Sequence, residues 1–567
     1  MIEDLNKKLQ LAIDQVLIEH SIEKLAIDPE TLNFEASLEE KHGDFSTSCP
    51  MKLAKVLKKN PEDIAKLITD KLNKANVEKI SVIKPGYINV VLPFTTKIVE
   101  IRQIIQVNEK YGTKASNGCK ALVEFVSSNP TGPLHVGHGR GAVLGLAISN
   151  LLETQGYKVS KEYYVNDAGR QIDILALSVL LTEIDDSIPK DGLYLGSYIK
   201  ILASELSKIV NVSWSTPSEE LPKEQEKKLD FLIDHFKKQD FEMWNQIKEF
   251  CVNEMLKLIK IDMKNFSINF DSWFKESSVG SINDIESNLF SALKKIRDKG
   301  LTYNKDGALW FKTTDFGDDK DRVLLRENGE PTYLLTDVGY HKNKLDRNYD
   351  MYLNIFGADH HGYLTRIESA FSALSDNKKR LDFVLYQLVN LFEDGKKKQM
   401  STRKGQYEIL AELERDIGAD VIKFFFLEKK SDNTIDFDLT LAKENSKNNP
   451  YFYVQYAHVR CSSILEKAEI DLNVDLNEKE ILSNHAIIAR LINYPLFLER
   501  YANELSPHSL VNFVKELAAA FHSFYESSPV LIDNKIIANT RLVITKACKI
   551  VLSNALQTLG VKPLDKM

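Results

Sequence analysis

The chain has 567 residues and a mass of 64.6 kDa, which at about 100–200 residues per domain predicts roughly three to five domains. Hydrophobic residues at 43% and charged residues at 27% exclude a disordered or fibrous chain, and a net charge of −7 leaves no global basic field to advertise nucleic acid. Cys49, Cys119, Cys251, Cys461 and Cys548 lie far apart without Cys-x-x-Cys spacing, which argues against a disulfide scaffold or ordinary structural zinc and suits a reducing cytosol.

No run approaches the roughly 18 apolar residues of a membrane span, and the polar start MIEDLNKKLQ is unlike a signal peptide. The expectation is a large soluble intracellular protein with no membrane partner. Within residues 1–112, Leu5, Leu9, Ile13, Val16 and Leu17 recur at helical spacing. A second helix is predicted through Met51, Leu53, Val56 and Leu57, and a third after the cap Asn60-Pro61-Glu62-Asp63. Ile80–Ile83 and 87–92 read as strands around the Pro85-Gly86 turn. This is a small α+β module of nearly balanced charge, followed by a polar linker over 110–118.

Residues 121–126 then read as a short apolar strand, 127–134 as a Pro/Gly/Ser loop and 135–154 as a long helix. Strand-like runs at 351–356 and 383–390 alternate with helices, which argues for a parallel α/β sheet over 113–445. The largely helical stretch of about 173–300 reads as an insertion. Residues 446–567 are helical in pattern throughout and form an expected all-α bundle.

The densest chemical signal is Ser127-Ser128-Asn129-Pro130-Thr131-Gly132-Pro133-Leu134-His135-Val136-Gly137-His138-Gly139-Arg140-Gly141. Between a strand and a helix, backbone N–H groups and the helix dipole favour an anion. His135 and His138 are three apart and share a helix face, and two imidazoles there can donate to phosphate oxygens as charge develops. Gly137, Gly139 and Gly141 let a nucleotide approach the backbone. The alternatives are a glycine-rich helix packed closely on a sheet, with two ordinary histidines, or a metal pair lacking its acidic partner.

The second signal is Lys396-Lys397-Lys398-Gln399-Met400-Ser401-Thr402-Arg403-Lys404-Gly405. A basic loop at the carboxyl end of a parallel strand lies where α/β sheets bind ligands, and its cations could neutralise a pyrophosphate leaving group. A solvated surface loop is the plainer alternative.

These segments resemble the His-Ile-Gly-His and Lys-Met-Ser-Lys-Ser motifs of class I aminoacyl-tRNA synthetases. The blocks VEFVSSNPTGPLHVGHGRGAVLG at 123–145, EYYVNDAGRQI at 162–172, TYLLTDVGYH at 332–341, FGADHHGY at 356–363, QMSTRKG at 399–405 and YVQYAHVR at 453–460 resemble bacterial-type arginyl-tRNA synthetases, in that family's order. So does the ending, which runs through Leu559-Gly560-Val561-Lys562-Pro563 to Met567. The resemblance spans the chain.

It implies a Rossmann-type catalytic domain with a parallel sheet, an N-terminal module touching the tRNA elbow, and a helical anticodon-binding domain. It implies ATP with Mg²⁺, L-arginine and tRNA(Arg) as partners, a monomer in the cytoplasm, and activation that depends on bound tRNA. Ser127, Asn129 and His135 match positions contacting arginine and its adenylate, and Glu124 sits on the same wall. Tyr333 and Asp337 match the pair that reads the side chain; a guanidinium is a planar fork of donors best met by a carboxylate and a hydroxyl. Structural ion pairing is the alternative role for Glu124 and Asp337. His135, Gly137, His138, Gly357, Asp359, His360, Met400 and Ser401 match the ATP side. The resemblance calls for no protein-held metal, although Asp359-His360-His361 also has the look of a metal cluster.

Two departures stand out. Gln399 replaces the first lysine of the loop motif and Thr402 the second, while Gly132 occupies the position where some relatives carry a substitute lysine. Lys404, with Arg403 next, is the expected replacement cation, so the catalytic set is His135, His138, Lys404 and Arg403. Candidate tRNA contacts are Asn89, Tyr451, Tyr456, Arg460 and Met567, with Tyr453 and His458 beside them, because aromatic faces and a cation suit stacked bases. An aromatic stripe at helical spacing can equally be core. Two other functions stay open at this point: a tRNA-binding relative with lapsed catalysis, and a different synthetase or nucleotidyltransferase sharing the His-x-Gly-His turn.

Overall fold

The computed structural model describes residues 2–22, 27–75, 77–184, 190–209, 214, 216–217, 221–376, 378–398 and 409–567. They form two compact units: Met1–Thr113 with Asn445–Glu504 and Ser509–Met567, and Lys114–Glu444 with Leu505–His508.

In the first unit, antiparallel strands Glu35–Ala36, Phe45–Thr47, Tyr87–Val91 and Lys79–Ile83 lie in that spatial order. Helix Ile2–Glu19 buries Leu5, Leu9, Ile13, Val16 and Leu17, the predicted stripe. Asn60 caps helix Pro61–Lys71, its side chain accepting from Glu62 N–H at 2.9 Å. A helix not foreseen from the sequence, Phe94–Val107, packs against His485–Asn503 and Lys535–Thr558. The predicted linker begins inside this unit, because the buried Tyr111 hydroxyl donates to the carbonyls of Leu491 and Ile492 at 3.2 Å each. The two ends of the chain, which read as separate modules, therefore build one compact body.

The second unit holds a five-stranded parallel sheet. Its spatial order is Leu381–Tyr386, Met351–Gly357, Lys120–Glu124, Lys158–Val165, Ser272–Lys275. The first strand in sequence is central, so crossovers leave it in opposite directions and a crevice opens at its carboxyl end, where open α/β sheets take ligands. Glu124 ends that strand.

Two boundaries differ from the sequence reading. The helical insertion stops at Asn265, after Arg170–Ile184, Ser197–Ile209, Gln225–Gln239 and Phe241–Asn265, and Ser272–Lys275 then returns as the edge strand. Four residues carry too little periodicity to stand out from a helical background. The run 383–390, read as one strand, is two: Leu381–Tyr386 in the main sheet and Val389–Glu393 in another, paired with Ile435–Asp438. At the break Leu388 is exposed, and Gln387 gives its N–H to Ser431 and its carbonyl to the Arg140 guanidinium.

Helix Val136–Thr154 lies tight on the sheet. A Cβ at Gly145 would stand 2.1 Å from the Phe125 ring, one at Gly139 2.6 Å from Leu410, and one at Gly141 2.7 Å from the Tyr386 hydroxyl. Gly139 and Gly141 thus serve close packing, the alternative raised from the sequence, rather than ligand approach. Gly145→Ala is expected to lower unfolding stability by about 2–3 kcal/mol through overpacking, read as a lower midpoint in thermal or urea denaturation.

Candidate active site

The site is built on the turn between strand Lys120–Glu124 and helix Val136–Thr154. Val126 and Ser127 both take left-handed backbone conformations, at φ 69° and 42°. That is costly for a β-branched residue and marks a constrained loop. The constraint aims Ser127: its Oγ donates to Glu124 Oε1 at 3.1 Å and accepts from Tyr164 N–H at 3.1 Å. Ser128 bonds the buried Tyr163 hydroxyl, Asn129 donates to Gln171 at 2.6 Å, and Tyr198 from the insertion donates to the Thr131 carbonyl at 3.1 Å. The same Tyr198 hydroxyl would lie 3.3 Å from a Cβ at Gly132, so the insertion covers the position that lacks the substitute lysine.

His135 is not inside the helix, as the sequence suggested, but caps it. Its Nδ1 accepts the His138 N–H and His138 Nδ1 accepts the His135 N–H, each at 3.4 Å. The rings stack with centroids 3.6 Å apart. An imidazole whose Nδ1 accepts must carry its proton on Nε2 when neutral. Burial pushes both histidines below their ordinary range, His138 to about 3 with His135 adding to the shift. Two neutral Nε2–H donors therefore stand beside the helix N-terminus, a place suited to an anion.

Through Glu124, which bonds Ser127, the loop adjoins an acidic pocket. Asp337 lies one turn along helix Tyr333–Asp346 from Tyr333, so both use one helix face. Tyr333 is 68% exposed, whereas Asp337 is half-buried and its carboxylate accepts from the Tyr363 hydroxyl. Burial, with the nearby charges of Glu276 and Glu124, pushes Asp337 up to about 7 despite that hydrogen bond. Glu276, just beyond edge strand Ser272–Lys275, is raised by burial and by Asp167, with Tyr164 hydrogen-bonded to it. Sequence reading missed Glu276. Its only signal was a carboxylate closing a short apolar run, hidden in the supposed insertion.

Glu124 is buried and paired, its Oε2 lying 2.5 Å from Lys344 Nζ. The ion-pairing alternative holds for it in this respect, while its other oxygen still meets Ser127. Asp337 forms no ion pair among the described residues.

Gly357 precedes the short 3-10 turn Ala358–Tyr363, on which Asp359, His360 and His361 are exposed; His360 packs against Phe356 at 5.4 Å. Met400, Ser401, Arg403 and Lys404, with Gln399, Thr402 and Gly405, lie outside the described residues.

In the other unit, Arg460 stacks on Tyr456 and Tyr525 at 4.5 and 4.6 Å and bonds the Tyr456 hydroxyl at 2.8 Å. Tyr453 packs on His522 at 4.6 Å, Tyr451 lies partly buried in the first turn of helix Pro450–Leu465, and Met567 is exposed. Two expectations are corrected here. Asn89 is 1% exposed and its Oδ1 accepts from Ser46 at 2.7 Å, so it serves the sheet rather than a surface. His458 is 2% exposed and bonds the Leu564 carbonyl, which makes it core.

Comparison with known proteins gives three family matches. Residues 7–92 match the arginyl tRNA synthetase N terminal domain, 100–436 the class I (R) tRNA synthetase catalytic domain, and 454–567 the DALR anticodon binding domain. A curated arginine–tRNA ligase of Vesicomyosocius okutanii is 39% identical over 98% of both chains. Another, from Oceanobacillus iheyensis, is 38% identical over the whole of both. The fold is that of Thermus thermophilus arginyl-tRNA synthetase, with a TM-score of 0.75 over 100% of both chains at 20% identity. A catalytic-domain match across more than half the sequence, and full-length relatives at such identity, place the chain in the arginyl-tRNA synthetase family of class I aminoacyl-tRNA synthetases.

Proposed function

We infer that the chain is an arginine–tRNA ligase: it uses ATP to activate L-arginine as arginyl-adenylate and transfers the arginyl group to the 3′-terminal adenosine of tRNA(Arg). The observation that carries this reading is one crevice holding both a helix N-terminus with two neutral imidazole donors and a pocket with two carboxylates that form no ion pair among the described residues.

The arginine carboxylate attacks the α-phosphate of ATP, which arrives with Mg²⁺ as part of the substrate. A new P–O bond forms to the amino-acid oxygen, the bond to the β-phosphate bridging oxygen breaks, and pyrophosphate leaves. The 2′-OH of the tRNA end then attacks the adenylate carbonyl and AMP departs. No step needs a covalent enzyme intermediate, so the protein supplies position and charge stabilisation. His135 and His138 donate to the phosphate as charge moves onto it. Asp337, with Tyr333 above it and Glu276 opposite, takes the guanidinium fork, which a lysine substrate could not fill. Ser127, Glu124 and Asn129 line the α-amino end. Gly137, Gly357, Asp359, His360, Met400 and Ser401 border the adenosine and phosphates, and Lys404 and Arg403 neutralise the leaving pyrophosphate.

For tRNA, the surface cluster of Arg460, Tyr456 and Tyr525 offers stacking faces and a cation. No described helix is long and apolar enough to cross a membrane, and we assign the enzyme to the cytoplasm, as a monomer.

The test is aminoacylation of bulk tRNA with each of the twenty radiolabelled amino acids, alongside ATP–pyrophosphate exchange with and without tRNA. Charging with arginine alone, and exchange appearing only when tRNA is added, is the expected result. Charging with another amino acid overturns the substrate, and retained tRNA binding without charging points to lapsed catalysis centred on Gln399 and Gly132.

A further inference from the structure

Beneath the crevice runs a buried polar chain that meets the substrate site only through Glu124. Lys344 is 0% exposed, and its Nζ lies 2.5 Å from Glu124 Oε2 and 2.7 Å from Asn354 Oδ1. The ammonium also stands 4.6 Å over the Tyr340 ring. The Tyr340 hydroxyl reaches Glu124 Oε2 at 3.1 Å and Glu162 Oε1 at 2.8 Å. Arg347 grips Glu162 with both terminal nitrogens, at 2.5 and 2.8 Å.

Four carboxylates thus lie at and beneath the crevice in two classes. Glu124 and Glu162 are neutralised within the fold by Lys344 and Arg347. Asp337 and Glu276 form no ion pair among the described residues. A free arginine brings two cationic groups, guanidinium and ammonium, and one anionic carboxylate. With Lys344 in place the crevice meets two cations with two uncompensated acids rather than three.

Lys344 is a costly way to fill that space. Burying an ammonium carries a desolvation penalty, and an apolar pair of similar volume often serves stability as well or better. What an apolar pair cannot do is hold the Glu124 carboxylate in one rotamer. Fixed at Oε2 by Lys344, the carboxylate turns Oε1 toward Ser127 Oγ, which is clamped in turn by the Tyr164 N–H. An unbroken series of hydrogen bonds therefore runs from Asn354 through Lys344 and Glu124 to the rim of the crevice.

We propose that Lys344 is a positioning residue for the amino-acid substrate: acting through Glu124, it sets the orientation of the Glu124–Ser127 pair and the charge balance of the arginine pocket. This rests on the arginine reading given above. The experiment is a double-mutant cycle, which isolates coupling between neighbours. Steady-state tRNA-dependent exchange is measured for the unmodified chain, Lys344→Met, Glu124→Gln, and Glu124→Gln/Lys344→Met.

Lys344→Met is expected to raise the arginine KM about 30-fold, as when a charged hydrogen-bond partner is lost, while the ATP KM stays within about twofold. The double variant is expected to match Glu124→Gln in arginine KM within about twofold. Removing one buried charge can unfold a protein; the double variant removes both, and its comparison with Glu124→Gln decides the matter even where Lys344→Met does not fold. Equal rises in the arginine and ATP KM, or a further large arginine KM increase from Lys344→Met on top of Glu124→Gln, overturns the role. Failure of the unmodified chain to exchange with arginine overturns the functional reading and this inference together; normal exchange with additive variants overturns only Lys344.

Discussion

Asp337→Asn is expected to lower kcat/KM for arginine by about 10²–10⁴-fold, because truncating one partner of an enclosed charge pair costs about 3–5 kcal/mol. The substitution keeps shape and can keep the Tyr363 hydrogen bond, but it removes the charge and turns a donor toward a ligand that carries only donors. The loss should appear in the arginine KM and leave the ATP KM unchanged, as measured by tRNA-dependent pyrophosphate exchange. Unaltered arginine discrimination by this variant would show that the side chain is read elsewhere.

The same residue predicts a pH dependence. In the ligand-free chain Asp337 titrates at about 7, and only its ionised form meets a guanidinium. Arginine binding therefore releases a proton below pH 7. The arginine KM should rise about fivefold as pH falls from 7 to 6, approach a tenfold rise per unit below that, and level off above about pH 8, with the slope absent in Asp337→Asn. For folding the sign is opposite to that of a salt-bridged acid. The folded value lies above the ordinary 3.8, so the native state holds the extra proton between them and stability falls as pH rises through that window. Ligand-free Asp337→Asn should accordingly be more resistant to unfolding than the parent at pH 8.

How legible this was differs from residue to residue. The histidine loop could be read because strand, Pro/Gly turn and helix are contiguous in sequence, and Asp337 because the block TYLLTDVGYH resembles the one that carries the side-chain-reading pair in the family. Glu276 was not legible: its partners Tyr164 and Asp337 are remote in sequence, and only the return of a four-residue strand to the sheet edge brings it to them. Lys344 belongs to a helix whose pattern says only that the position is interior. The fastening of Phe94–Val107 to the terminal helices is likewise invisible to periodicity, which reports which face is buried and not against what. Asn89 and His458 misled for the converse reason, since polar side chains in the sequence of an RNA-binding module carry no mark of which way they point.

The arrangement of the two histidines separates two jobs that a single substitution would confound. His138→Ala removes both a cap acceptor and a phosphate donor. It should lower stability by about 1 kcal/mol and the rate of adenylate formation by about 10²–10³-fold, the usual cost of one donor to developing charge. In His138→Asn the amide oxygen can stand in for Nδ1 and accept the His135 N–H, but no donor reaches as far as Nε2. That variant should recover the thermal midpoint and not the rate. Because burial holds His138 near 3, the imidazole acts neutral throughout the physiological range and moves no proton during turnover. The single-turnover rate of adenylate formation, followed between pH 5.5 and 8 at saturating arginine, should show no inflexion assignable to this residue. A step near 6.5 that vanishes in His138→Asn would mean the cationic imidazolium is the working form, and the capping hydrogen bonds, which require Nδ1 to be bare, would have to break for catalysis to proceed.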